Sequence, residues 1–163
     1  MNDSALLDPQ AETDASLSPA VIFDRAAVRR VELDVEYAGA VTPPEAWALV
    51  RRGAATLIDV RTAPEFKFVG RVPDTANVVW HGADPVASAA FALALRTATS
   101  ADTPLLLLCR GGVRSDAAAA AATEAGFRAV YNVLEGFEGQ RDHTERRGFV
   151  DGWRKHGLPW RQV

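Results

Sequence analysis

The sequence contains one thiol, Cys109, in the run "LLLLCRGGVRSDAAAAAATEAGF" over residues 105–127. Four leucines lead into it, and Arg110, Gly111, Gly112, Val113, Arg114 and Ser115 follow before the alanines begin. So apolar a run reads as a buried strand, and the chain must turn sharply beyond it. Paired glycines permit the dihedrals of such a turn and let successive backbone N–H groups point inward as an anion nest. A helix starting near Ser115 adds the positive end of its dipole. Neighbouring cations and a helix N-terminus favour the thiolate, which is the nucleophilic form. The chemistry expected is covalent catalysis at Cys109 on an anionic substrate held by Arg110, Gly111, Gly112, Val113, Arg114 and Ser115. The plainer reading, a buried inert cysteine, does not account for two arginines directly behind a buried strand end, where a guanidinium needs solvent or an anion.

A second charged group stands in "LIDVRTAPEF": Asp59, Arg61 and Glu65. Arg61 and Glu65 are expected to form a partly buried pair that braces the loop after their strand; such a pair fixes geometry more than it adds stability. Trp80 and His81 follow another strand-like run and read as packing or surface. His143 and His156 have no cysteine or second histidine at ligand spacing, so neither a metal nor a cofactor is expected. Trp47, Trp153 and Trp160 read as packing residues, and the basic segments "RDHTERRG" and "WRKHGLPWR" as solvated surface that also suits an anionic ligand.

The elements that must position these residues are legible in outline. "AVTPPEAWALVRRG" offers a strand and then a helix, with Thr42 as N-cap, prolines in the first turn, Glu45 completing a capping box and Gly53 as the stop. "AATLIDV" is a continuous apolar strand of the kind buried on both faces. "RTAPEFKFVG" is too broken for a long helix. "TANVVW" is strand-like, "DPVASAAFALALRTATS" a helix capped near Asp84, "TPLLLLC" the most apolar strand, "SDAAAAAATEAGF" a helix ending at Gly126, and "RAVYNVLEG" another strand. Apolar strands alternating with helices predict an α/β domain with a mostly parallel sheet covered on both faces. Ahead of it, "VIFDRAAVRRVELDVEYAG" is ambiguous between an amphipathic helix and, in "VELDVEYA", an edge strand. Residues 1–37 are expected to form a tail, partly mobile or locally docked, and residues 38–163 the domain.

At 163 residues the chain closes one core without cross-links, and its single cysteine allows no internal disulfide. A formal charge of −3 gives no bulk attraction to nucleic acid or to an anionic membrane. The acidic N-terminus lacks the basic start and apolar centre of a secretory signal, and the apolar runs are too short to span a bilayer, so the expected location is the cytoplasm.

The cysteine segment closely resembles the active-site loop of rhodanese-like sulfurtransferases, C-R-x-G-x-R-S. "LIDVRTAPEFKFVGRVPDTANVVW" resembles that family's D-V-R-x-x-x-E-[FY] and G-H-I-P-G-A-x-N segments, and "VYNVLEGFEG" with "GWRKHGLPW" its N-x-x-G-G and closing W-x-x-x-G-x-P. The matches run in the family's order from about Gly39 to Trp160. The resemblance implies a three-layer rhodanese-like domain with a parallel five-stranded sheet. It also implies that Cys109 takes the outer sulfur of a small anionic donor such as thiosulfate and passes it from a persulfide to cyanide or a thiol, including the thiol of a partner protein. Arg110 and Arg114 would then attract the donor while loop N–H groups hold the persulfide, and Asp59, Arg61 and Glu65 resemble the family's structural supporting charges. Phosphatases and arsenate reductases use a longer C-x5-R loop, whereas Cys109 to Arg114 is C-x4-R, which favours sulfur chemistry. A non-catalytic interaction module is the alternative, though such modules usually lack the cysteine. Three departures from the pattern, Arg71, Asp74 and Phe137, are expected to bear on the pocket wall.

Overall fold

The computed structural model describes Asp14 and residues 16–163. The tail expected over residues 1–37 lies, for residues 1–13 and 15, outside the described residues. In chain order the elements are α1 (Pro19–Glu32), β1 (Gly39–Val41), α2 (Pro43–Arg51), β2 (Thr56–Asp59), a π-helical turn (Glu65–Val69), β3 (Ala76–Asn77), α3 (Pro85–Ala98), β4 (Leu105–Leu108), α4 (Val113–Glu124) and β5 (Val130–Val133). The five strands form one sheet in the order β1-β5-β4-β2-β3, and every pairing is parallel.

Strand alternation divides the core. Leu106 and Leu108 join Val133 and the buried residues of α1 and α2 on one face. Leu105, Leu107 and Cys109 join Ile58, Phe91, Leu95 and the alanines of α4 on the other. Because side chains in a strand point alternately to opposite faces, Cys109 falls on the α4 side by register alone. Ala118, Ala119 and Ala122 are fully buried, so the alanine run lets α4 lie close to the sheet behind the cysteine loop.

Helix starts are set locally. Thr42 and Glu45 complete the capping box of α2, and the Asp84 side chain accepts the Ala87 N–H at the start of α3. Of the two readings open for "VIFDRAAVRRVELDVEYAG", the helix forms and the edge strand in "VELDVEYA" does not. The helix continues through Glu32 and the strand begins only at Gly39. Ile22 and Ala26, one turn apart, are fully buried on the face that α1 packs against β1. Arg29 also donates to the fully buried Glu45 carboxylate at 2.7 Å, with Arg25 at 3.3 Å. Burial opposes ionisation of Glu45, yet hydrogen bonds from Arg29, the Thr42 backbone and Arg25 hold it below the usual carboxylate range.

The seat of α1 depends on Gly39, at φ +143°, where an added Cβ would lie 2.1 Å from the Ala26 carbonyl oxygen. Gly39→Ala is therefore expected to push α1 off the sheet edge and destabilise the protein by about 2–3 kcal/mol, read as a lower urea midpoint.

Candidate active site

Strands β4 and β2 are neighbours, but the chain leaves β4 towards β5 and leaves β2 towards β3. Their carboxyl ends therefore flank a topological switch point, where parallel α/β sheets bind ligands. Cys109 leaves β4 there, Asp59 ends β2, and Arg61 and Glu65 follow it.

The cysteine loop is fastened from outside. The Phe137 N–H donates to the Cys109 carbonyl at 2.8 Å and the Glu138 N–H to the Arg110 carbonyl at 2.9 Å. Gly136, at φ +68°, makes this approach possible, because a Cβ would stand 2.6 Å from the Cys109 carbonyl oxygen. With the Cys109 and Arg110 carbonyls bound outward, the Gly112 N–H faces the sulfur. Gly112, left-handed at φ +95°, caps α4 and donates its N–H to the Cys109 Sγ at 3.1 Å.

The Ser115 hydroxyl lies 3.2 Å from the same sulfur and 2.6 Å from Oδ1 of Asn132. Asn132 in turn donates to the Gly112 carbonyl at 3.1 Å. A hydroxyl has one proton, so Ser115 can accept from a thiol while donating to Asn132, or turn its proton to a thiolate. Cys109 is 1% exposed and lines a cavity of about 350 Å³. Arg110, Gly111, Val113 and Arg114 line the walls with Gln140 and Arg147.

The support charges pair differently from expectation. Arg61 does not meet Glu65. It is fully buried and donates Nε and Nη2 to Asp59, at 3.0 Å to Oδ1 and 2.6 Å to Oδ2. Its Nη2 also reaches the Gly70 carbonyl at 2.7 Å, and its guanidinium lies 4.2 Å from the Phe137 ring centre. Two positions apart at a strand end, Asp59 and Arg61 point to the same interior. Glu65 sits on the half-exposed π-helical turn and meets Arg114 across the crevice, with both oxygens bound at 2.7 and 2.8 Å. The hydrogen bonds from Arg114, opposed by burial and helped by Thr62, lower the Glu65 carboxyl to about 2.

A carboxyl depressed from 4.5 to about 2 on folding stabilises the protein above its unfolded value. That contribution is lost as pH falls from about 4.5 towards 2. Both partners touch solvent, so the stabilisation at neutral pH is about 1–2 kcal/mol after screening. The urea midpoints of wild type and Glu65→Gln are expected to differ at pH 7 and to converge near pH 2.

The three departures do not form the pocket wall. Phe137 is fully buried, edge-on to Trp160 at 6.0 Å. Arg71 pairs through its backbone with Arg161, and Asp74, at φ +57°, lies at a turn beside a different cavity. Trp80 is buried against Phe91, while His81 lines an apolar groove beside β3 and α3. Gln140, Arg147 and Asn132 were not singled out as site residues from the sequence. The basic lean of "RDHTERRG" was the only signal for Arg147, and a polar residue inside "AVYNVL" the signal for Asn132. No group of three metal-ligating side chains occurs among the described residues.

A five-stranded parallel α/β domain, with a nucleophile-type cysteine loop at its switch point and C-x4-R spacing, defines the architecture of rhodanese-like proteins. The Rhodanese-like domain model matches residues 42–143, and the chain belongs to that family. Rv0390 from M. tuberculosis, known from a crystal structure, is 44% identical, with a TM-score of 0.67 over 78% of this chain and all of that one. Thiosulfate sulfurtransferase GlpE of Pseudomonas savastanoi pv. phaseolicola is 36% identical over 97 residues, 59% of this chain and 81% of GlpE. The uncharacterized protein RP600 of Rickettsia prowazekii is 31% identical over 115 residues, 69% of this chain and 87% of its own length.

Proposed function

We propose that this chain is a sulfurtransferase that moves a sulfane sulfur from thiosulfate or a related anionic donor to a thiol or to cyanide, through a persulfide on Cys109. The observation that carries the reading is the Cys109 Sγ held by the Gly112 N–H and the Ser115 hydroxyl, in a residue that lines a cavity together with Arg110, Arg114 and Arg147. The Cys109 thiolate attacks the outer sulfur of thiosulfate. The sulfur–sulfur bond of the donor breaks, and sulfite leaves with the bonding pair. Donors aimed at the sulfur stabilise its charge as it spreads over the persulfide. The acceptor, cyanide or a thiolate, then attacks the terminal sulfur, and the Cys109 thiolate leaves. This sequence holds no second cysteine, so the sulfur passes to another molecule. Membership of a family that includes sequences named as thiosulfate sulfurtransferases supports the same reading.

The test is intact-protein mass after thiosulfate and again after cyanide. A gain of one sulfur atom, lost on cyanide addition with stoichiometric thiocyanate, is the expected result. No gain in a folded, reduced protein counts against catalysis with this donor and favours an interaction module. We further propose a cytoplasmic location, where a free thiol stays reduced. No helix among the described residues is long and apolar enough to cross a membrane. Recovery of the chain in a membrane or secreted fraction would overturn that location.

A further inference from the structure

We infer that the anionic end of the donor is bound by Arg147 together with Arg110, and that Arg114 serves to hold Glu65. This rests on the sulfur-transfer reading for the identity of the donor, and on geometry alone for the presence of the anion seat. Arg114 gives both terminal nitrogens to the two oxygens of Glu65, which neutralises its charge towards a ligand. Arg110 and Arg147 line the same cavity as the sulfur, and among the described residues neither has a carboxylate within ion-pair distance.

Arg147 is placed by its backbone surroundings. One terminal nitrogen donates to the Gly139 carbonyl, and the same nitrogen lies 3.1 Å from where a Cβ on Gly111 would be. The cationic head therefore sits against the cysteine loop in space left by a missing side chain. The segment that carries it is fastened to itself and to the domain. The Asp142 carboxylate accepts the N–H groups of Thr144 and Arg146 at 2.8 and 2.9 Å, and Gly148 donates to the Glu138 carbonyl at 2.8 Å. At its base Gly139 meets the Asp151 backbone so closely that a Cβ would stand 2.0 Å from that carbonyl oxygen.

Burial, and then the charges of Arg110 and Arg141, pull the Arg147 guanidinium below its usual value. The charges of Glu138 and Asp151 oppose this pull without cancelling it, and an anion bound beside Arg147 and Arg110 relieves the repulsion that remains. The ligand class is an oxyanion bearing a sulfane sulfur, a thiosulfate or an organic thiosulfonate. The cavity of about 350 Å³ is larger than a single oxyanion needs, which leaves room for an organic substituent beside it.

The experiment compares alkylation of Cys109 by iodoacetate and by iodoacetamide. Their rate ratio cancels thiol reactivity and reports the pull on a negative charge. The ratio is expected to fall about tenfold in Arg147→Gln, to be largely kept in Arg147→Lys, and to change less than about twofold in Arg141→Gln, an exposed neighbour outside the cavity. In thiosulfate turnover Arg147→Gln should raise KM with kcat nearly unchanged, the mark of lost ground-state binding. An unchanged ratio in Arg147→Gln overturns the inference, as does an equal fall in Arg141→Gln. If the wild type gains no sulfur from thiosulfate while the ratio still depends on Arg147, the sulfur-donor reading fails and the anion seat stands.

Discussion

Cys109→Ser is expected to abolish sulfur gain from thiosulfate and to lower thiocyanate formation by about three orders of magnitude or more, with the fold intact. A serine oxygen in place of the sulfur can still accept the Gly112 N–H and face the Ser115 hydroxyl, so the loop keeps its partners. The surroundings are apolar on the other side, where Leu105, Leu107 and the α4 alanines pack, but the replacement is smaller and makes no clash. Stability should therefore change by about 1 kcal/mol or less. What is lost is the chemistry: an alcohol at neutral pH offers almost no alkoxide, and an oxygen–sulfur adduct would not act as a sulfane carrier. No other thiol occurs in the sequence, so residual transfer by Cys109→Ser at more than a few per cent of the wild-type rate would sink the assignment. Mass measurement and colorimetric thiocyanate release, on the same preparations, separate a dead nucleophile from a missing donor.

The largest stability effect is expected at Arg61, which the chemistry does not touch. Arg61→Ala leaves the Asp59 carboxylate fully buried without its cation, and removes the contacts to the Gly70 carbonyl and the Phe137 ring. Breaking a buried pair by removing one partner is destabilising by about 3–5 kcal/mol, because the remaining charge has neither solvent nor counter-ion. Urea unfolding followed by tryptophan fluorescence reads the change. The double variant Asp59→Leu with Arg61→Met should recover more than half of the loss, since an apolar pair of similar volume is often tolerated where one charge alone is not. If the double variant is no more stable than Arg61→Ala, the role of Arg61 lies in its contacts to Gly70 and Phe137 and not in neutralising Asp59. In either case persulfide formation should survive in whatever fraction remains folded, because neither residue lines the cavity.

Much of this protein was written in local patterns. The apolar runs at 55–60 and 105–109, separated by capped helices, required a parallel sheet covered on both faces. The order of glycine, cation and small residues after Leu108 required a tight strand-to-helix turn around Cys109. Thr42 with Glu45, and Asp84, fixed helix starts because a cap acts within one turn of its own residue. Such signals travel over a few positions, and a single chain displays them directly.

The pairings across the site were decided only when the strands took their places. Glu65 and Arg114 are 49 positions apart and meet because β2 lies beside β4. Arg61, four positions before Glu65, turns inward to Asp59 because the pleat sends alternate residues to the same side. Local pattern left residues 21–39 open between a helix and an edge strand; α1 runs through Glu32 because Ile22 and Ala26 are buried against the sheet edge at Gly39, and residues 33–38 form turns and bends leading into β1. Arg147 belongs to a segment whose polar composition reads as surface. It reaches the cysteine loop because Gly139 and Asp151 close that segment over Gly111, a contact set by three-dimensional approach and by the absence of side chains at two glycines.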